Sequence, residues 1–236
     1  MHVTDRWLQF IEKASGGPRE RLAAAHAAWS YMTPVLSRIH TRFPSGARLL
    51  ELGCGAALHS TLLAAWGYRV TAIDNDPRIV EIARETATTF GQDLDVRLGD
   101  ALRLLDEARE GYDLVFSFGL VEHFDRSRTV AMLADQGRVA SHVMAVIPTK
   151  YTRYAAPITD ERIYRLAGLK SMFRDAGLTV DDAFVFGDVP TMTGAILRRA
   201  LPPPVYRYVQ RTLGYGMNNC VFGRRGRLSP ARQSQP

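Results

Sequence analysis

The chain is poor in cysteine, with only Cys54 and Cys220 among 236 residues. Two thiols cannot build a disulfide framework, and nothing in their surroundings resembles a zinc cluster. Lysine is almost absent too: Lys13, Lys150 and Lys170 are the only three. Arginine therefore carries the positive charge, a bias that codon composition explains before function does. No apolar run reaches the roughly 18 uncharged residues that a membrane span requires. The first residues, MHVTDRWLQFIEKAS, put charges where a secretion signal has its apolar core. No internal repeat and no low-complexity segment precedes the C-terminal tail. These absences point to a soluble, cytoplasmic protein of one large domain.

What charge there is lies unevenly. Of the net +6, four charges sit on Arg224, Arg225, Arg227 and Arg232 in the acid-free stretch 224–236, leaving +2 for everything before it. That stretch has Pro, Ser and Gln but no apolar period and reads as a disordered basic tail. A nucleic acid is thus not the expected partner, although such a tail leaves the alternative open.

Residues 1–42 read as a helical cap. Trp7, Phe10, Ile11 and Ala14 share one helix face, and a second helix from about Glu20 places Leu22, Ala25 and Trp29 inward. Thr33-Pro34 reads as a break and restart. From Arg48 onward, short apolar runs alternate with helical stretches. Strands are expected at Arg48–Leu52, Arg69–Asp74, Asp95–Gly99, Tyr112–Ser117, Ser141–Ile147, Thr179–Val189 and Met217–Gly223. Helices are expected at about Leu58–Trp66, Pro77–Phe90, Ala101–Ala108, Arg126–Val139 and Asp160–Ala176. This alternation predicts a Rossmann-like α/β fold: a mostly parallel seven-stranded sheet with helices on both faces. Thr191–Gly216, with Pro202-Pro203-Pro204 between two arginine-rich helical pieces, reads as an insertion before the last strand.

Ligands of open α/β sheets bind at strand C-termini, and four strand ends carry informative residues. LLELGCGAALHS, residues 49–60, places Glu51 before a turn with Gly53 and Gly55 at the start of a helix, where a ligand can approach the backbone. A dinucleotide fingerprint wants a further glycine where Leu58 stands, which argues against NAD or FAD. The second strand ends in Asp74, able to accept hydrogen bonds from ribose hydroxyls, with Asn75 beside it. Gly99-Asp100-Ala101 ends the third. YDLVFSFGLVEHF carries the fourth through Ser117, Phe118 and Gly119 to Glu122 and His123.

Together ELGCG, AIDNDP, LGDA and YDLVFSFGLVEHF resemble, in order and spacing, the motifs of the class I S-adenosylmethionine-dependent methyltransferases of small-molecule type. The resemblance covers Arg48 to about Ile147. It implies that Glu51, Gly53, Cys54 and Gly55 line the methionine part of S-adenosylmethionine. Asp74 would hold the ribose, Asn75 would flank the adenine, and Asp100 with Ala101 would meet the adenine edge. Ser117 and Phe118 would lie beside the transferred methyl, and the product would be S-adenosylhomocysteine. Ala57 departs from the family, which often has a third glycine there. Alanine fits if that residue is already helical.

The same segment narrows the acceptor. SFGLVEHF lacks the prolines of enzymes that methylate nucleobase amino groups, and neither cysteine is placed as a nucleophile for cytosine. His123 and Glu122 are the acid/base pair near the expected methyl position, whereas His59 is expected to be structural. In PTKYTRYAAPITDERIY, Tyr151, Arg153 and Tyr154 are candidate acceptor-binding residues. The reading is therefore a methyltransferase domain over 1–223, with a cofactor half at 43–150 and an acceptor half at 151–223 containing the insertion 191–216. It would methylate an oxygen, nitrogen or carbon of a metabolite or natural product. Its partner is a small molecule rather than a nucleic acid or a membrane, with a homodimer left open and no metal site. The alternatives are a non-catalytic cofactor-binding partner protein and an RNA or DNA methyltransferase.

Overall fold

Five strands pair side by side and in one direction: β1 (Arg48–Leu52), β2 (Arg69–Asp74), β3 (Asp95–Leu98), β4 (Tyr112–Phe118) and β5 (Ala140–Pro148). With β6 (Leu178–Phe186) and β7 (Asn218–Arg225) they form a seven-stranded sheet of order β3-β2-β1-β4-β5-β7-β6. β7 runs antiparallel to both neighbours, so β6 points the same way as β5. This computed structural model describes residue 11 and residues 17–107, 111–154 and 161–226, with Tyr154 described in its backbone only. The expected helix face of Trp7, Phe10 and Ala14 lies outside these residues.

Among the helices of the described residues are α1 (Pro18–Arg42), α2 (Leu58–Ala65), α3 (Pro77–Thr89), the short α4 (Leu104–Glu107), α5 (Arg126–Val139), α6 (Leu166–Asp175), α7 (Met192–Ala200) and α8 (Pro203–Leu213). Burial of the sheet on both faces explains why its central strands are almost continuously apolar. On one face Val35, Leu36 and Ile39 of α1 pack with Leu49, Phe116, Met144 and Phe222. On the other, Met132 and Leu133 of α5 and Leu169 and Phe173 of α6 pack with Val143, Ala145 and Val221. Asp76 and Asp125 cap α3 and α5, each accepting a backbone N–H at 2.9 Å.

Several expectations are corrected. Pro34 does not break the N-terminal helix, because α1 runs through it. The turn after Pro34 is held by buried Val35, Leu36 and Ile39, and by Arg38 and Arg42, which both reach Asp182 at 3.0 Å. That anchoring outweighs the roughly 3 kcal/mol a proline costs inside a helix. Leu22 faces outward, 58% exposed, because Arg21 takes the inward position there and reaches Glu85 and Thr89 of α3. The helix expected at Ala101–Ala108 begins as a 3-10 turn, Ala101–Arg103, before α4. The helix expected from Asp160 starts only at Leu166, since Arg162 is engaged in hydrogen bonds to another loop. β7 continues through Arg224 and Arg225, and Arg224 pairs with Asp181 at 2.9 Å, so the basic stretch is ordered strand at its start. Residues 227–236 lie outside the described ones.

Candidate active site

Strand order reverses at β1 and β4, and a cleft of about 420 Å³ opens at their C-terminal ends. Its base is the glycine turn after β1, where Gly53 and Cys54 donate backbone N–H groups to the Ile73 carbonyl at 2.8 and 3.1 Å. Gly53 and Gly55 have left-handed φ of 65° and 54°. The positive φ at Gly53 favours glycine, and a Cβ there would lie 3.1 Å from Leu120 Cδ1 and push that side chain aside. Ala57 is also left-handed, at φ 52° and ψ 29°, and is not yet helical. The family's glycine is replaced at a strained position, at roughly 1–2 kcal/mol.

The turn is tied to the acid of β2. Gly55 N–H donates to Asp74 Oδ2 at 3.1 Å and Asp76 N–H to Asp74 Oδ1 at 3.2 Å. Burial raises the Asp74 carboxyl above its usual range, against the pull of these bonds. Glu51 is 1% exposed and accepts a hydrogen bond from the Ser60 hydroxyl. Burial pushes its carboxyl up to about 8, with the Ser60 bond opposing. Both acids line the cleft, as do Gly53, Cys54 and Gly55. Cys54 is a buried thiol that burial pushes well up, so it is not a thiolate nucleophile. Asn75, Asp100 and Ala101 line the adjoining part, and Asp100 Oδ1 caps the following turn by accepting Leu102 N–H at 2.9 Å.

The wall after β4 is less uniform. Phe118 and His123 line the cleft, with Leu120 and Phe124 around them. Ser117 is fully buried behind Phe118, away from the lining, and its Oγ has no hydrogen-bond partner among the described residues. Glu122 is 2% exposed and also sits outside the lining. Arg162, unmarked by any motif, braces this loop: its N–H donates to the Glu122 carbonyl at 2.9 Å and its Nη1 to the His123 carbonyl at 2.7 Å. Tyr151 stacks edge-on against Tyr215 at 5.0 Å, and neither it nor exposed Arg153 lines the cleft. The side chain of Tyr154 lies outside the described residues.

His59, expected to be structural, lines the cleft. Its ring packs on Phe118 at 4.3 Å, and its Nδ1 lies 3.9 Å from Glu51 Oε1. Burial pushes this imidazole down to about 4. With the carboxyl raised and the imidazole lowered, the contact near neutral pH joins two uncharged groups and is no ion pair. Ile11 and Ala28 also line the cleft, and Ile11 approaches the turn to 3.5 Å from a Cβ placed on Gly55. Ile11 belongs to the apolar helix face expected from the sequence, whereas no local signal marks Ala28, which α1 brings to the cleft.

A family model described as a methyltransferase domain matches residues 49–142. A ubiquinone biosynthesis O-methyltransferase of Xylella fastidiosa is 30% identical over 185 residues, covering 70% of this chain and 72% of that protein. One from Xanthomonas axonopodis pv. citri is 28% identical over 199 residues, covering 76% and 78%. The chain belongs to the class I S-adenosylmethionine-dependent methyltransferases. Magnesium protoporphyrin IX methyltransferase of Synechocystis with bound S-adenosylhomocysteine shares the fold, with a TM-score of 0.60, 15% identity and 84% of each chain covered. So does a structure described as the Haloferax volcanii Trm112 methyltransferase activator in complex with a putative methyltransferase, with a TM-score of 0.65, 20% identity, and 91% of this chain and 96% of that chain covered.

This methyltransferase uses S-adenosylmethionine, and its cleft residues fit that cofactor. Glu51, Asp74 and Asp100 line a largely apolar cleft together with Asn75, His59 and His123, and the Asp74 and Asp100 oxygens are acceptors suited to ribose hydroxyls and an adenine amino group. The missing side chains of Gly53 and Gly55 leave room for close backbone approach. No group of three or more metal-ligating side chains occurs among the described residues.

Proposed function

We propose that this methyltransferase acts on a hydroxyl oxygen of a small, largely apolar acceptor, with His123 receiving the proton. The observation that carries the reading is the half-buried His123 imidazole in a wall of Phe118, Leu120 and Phe124. Among the described residues two histidines line the cleft, but His59, pushed down to about 4, is too weak a base to draw a proton from a hydroxyl. The two relatives named above are O-methyltransferases, which supports oxygen over nitrogen or carbon.

When bound, S-adenosylmethionine supplies an electrophilic methyl on its sulfonium. The protein's task is alignment and water exclusion. In this reading Glu51, Asp74, Asn75 and Asp100 hold and orient the cofactor, while Phe118, Leu120 and Phe124 seat the acceptor. Arg162 positions His123 by gripping the backbone on either side of it, and an imidazole nitrogen takes the acceptor's proton. Residues 1–223 then work as one unit, as a cytoplasmic enzyme whose partner is a small molecule. Among the described residues no helix is long and apolar enough to cross a membrane.

The test uses His123→Ala with a panel of phenols and aromatic amines. Turnover of phenols should fall ~10²–10⁴-fold, with cofactor affinity by calorimetry kept. Wild-type turnover in the variant, or methylation of amines alone, sinks the reading.

A further inference from the structure

The segment 191–216, between β6 and β7, holds Arg198, Arg199, Arg207 and Arg211 and not one acid. It folds as α7 and α8, and their burial is inverted relative to an ordinary amphipathic pair. In α8 the inward positions are polar: Tyr206 Oη donates to Asp188 Oδ1 at 3.1 Å, and Gln210 Nε2 donates to the Gly187 carbonyl at 3.3 Å. Most of the apolar side chains are left outside, with only Val209 half-buried. Val205 is 44% exposed, Tyr208 69% and Leu213 71%. In α7 Gly194 is the only buried residue, with Met192 80% and Ile196 58% exposed.

Position adds a second argument. β6 runs in the direction of β5, so the helices leave the sheet at the edge where the cleft opens. The turn after α8 is fastened there, with Thr149 Oγ1 donating to the Gly216 carbonyl at 2.6 Å and Tyr215 stacked on Tyr151. The outward apolar face is thus part of the molecule's cleft-side rim.

We propose that α7 and α8 form a docking face for an anionic lipid bilayer. A second copy placed symmetrically on this face would set four arginines against four. A bilayer surface meets both features at once. Met192, Ile196, Val205, Tyr208 and Leu213 enter the acyl boundary, while the guanidinium groups pair with lipid phosphates. Only Arg198 has a carboxylate partner among the described residues, Asp188 at 3.6 Å, whereas Arg199, Arg207 and Arg211 are exposed. Peripheral docking of this kind needs no spanning helix. It is also independent of the acceptor's identity.

Flotation of the full-length protein with vesicles tests it. Vesicles of phosphatidylcholine with phosphatidylglycerol should carry the protein, while phosphatidylcholine alone should carry far less, and high salt should release it. Ile196→Asp with Tyr208→Asp should abolish flotation. Arg199→Gln with Arg211→Gln should weaken it by roughly 5-fold per arginine. Because all four positions are exposed, melting temperature and cofactor affinity should stay unchanged, which separates lost docking from lost fold. Arg227→Gln with Arg232→Gln should leave flotation intact. Four results would overturn the proposal: no flotation of the wild type on anionic vesicles, flotation that survives the paired aspartates, flotation lost with the tail arginines, or a dimer by sedimentation that Ile196→Asp dissociates.

Discussion

In the β3–β1 half of the sheet, ligand-facing positions are backbone turns and strand ends held by hydrogen bonds from the turn's own N–H groups: Gly53 and Cys54 to the Ile73 carbonyl, Gly55 to the Asp74 carboxylate. On the β4 side the rim is the end of β4 and the loop after it, Phe118 to Phe124, where side-chain direction decides what faces the cleft. There His123 and Phe124 face in, while Glu122, the residue between Val121 and His123, turns away. The difference shows which half tolerates sequence change. A turn that works through its backbone needs particular residues at particular spacings, whereas a side-chain wall can be rebuilt from many combinations. It follows that cofactor recognition should be sensitive at few positions and acceptor recognition at many.

The comparison can be strained from both sides. The ~10²–10⁴-fold loss from His123→Ala is the largest expected effect and tests the acceptor wall. Against it stands Asp74→Ala on the cofactor side, which should weaken cofactor binding by roughly 1.5–3 kcal/mol, the scale of hydrogen bonds to a charged group. Part of that loss would come from the glycine turn, since Gly55 N–H and Asp76 N–H lose their acceptor. An unchanged dissociation constant in a folded Asp74→Ala protein would remove the ribose assignment.

Glu51 sharpens the comparison through pH. Its carboxyl rises from the usual 4.5 to about 8 in the folded protein, so the folded state holds a proton that the unfolded chain has released. Its contribution to stability is therefore complete below about 4.5 and is lost as pH rises through about 8. Thermal melts of the cofactor-free protein across this range should show that decline, and Glu51→Gln should flatten it. A variant with the wild-type slope would assign the decline to other groups, Asp74 first.

The smallest effect belongs to Ala57→Gly. Relief of left-handed strain, roughly 1–2 kcal/mol, is offset by about 0.4–1 kcal/mol of unfolded-chain entropy and about 0.8 kcal/mol for the buried methyl. Denaturant unfolding should place this variant within about 1 kcal/mol of the wild type, with Ala57→Val clearly worse, because a β-branched residue is a genuine outlier at positive φ. Ala57→Gly unfolding far earlier would mean that the methyl carries packing the geometry does not reveal.

The sequence by itself determined the strand–helix alternation, the glycine turn and the acids at strand ends. β1, β2 and α5 begin and end where the apolar pattern places them. These features are local: a strand follows from a short apolar run, and a left-handed turn follows from glycine at the required spacing. Tertiary structure alone decided that α1 survives Pro34, that Leu22 points outward, that His59 reaches the cleft and Ser117 does not, and that Arg162 braces His123. Each of these depends on what lies across a packing interface: Asp182 opposite Arg38 and Arg42, Phe118 beside the His59 ring, the Glu122 and His123 carbonyls within reach of Arg162. Residues so far apart in the chain leave no mark on one another's spacing, and only the energy of burying them together brings them into contact.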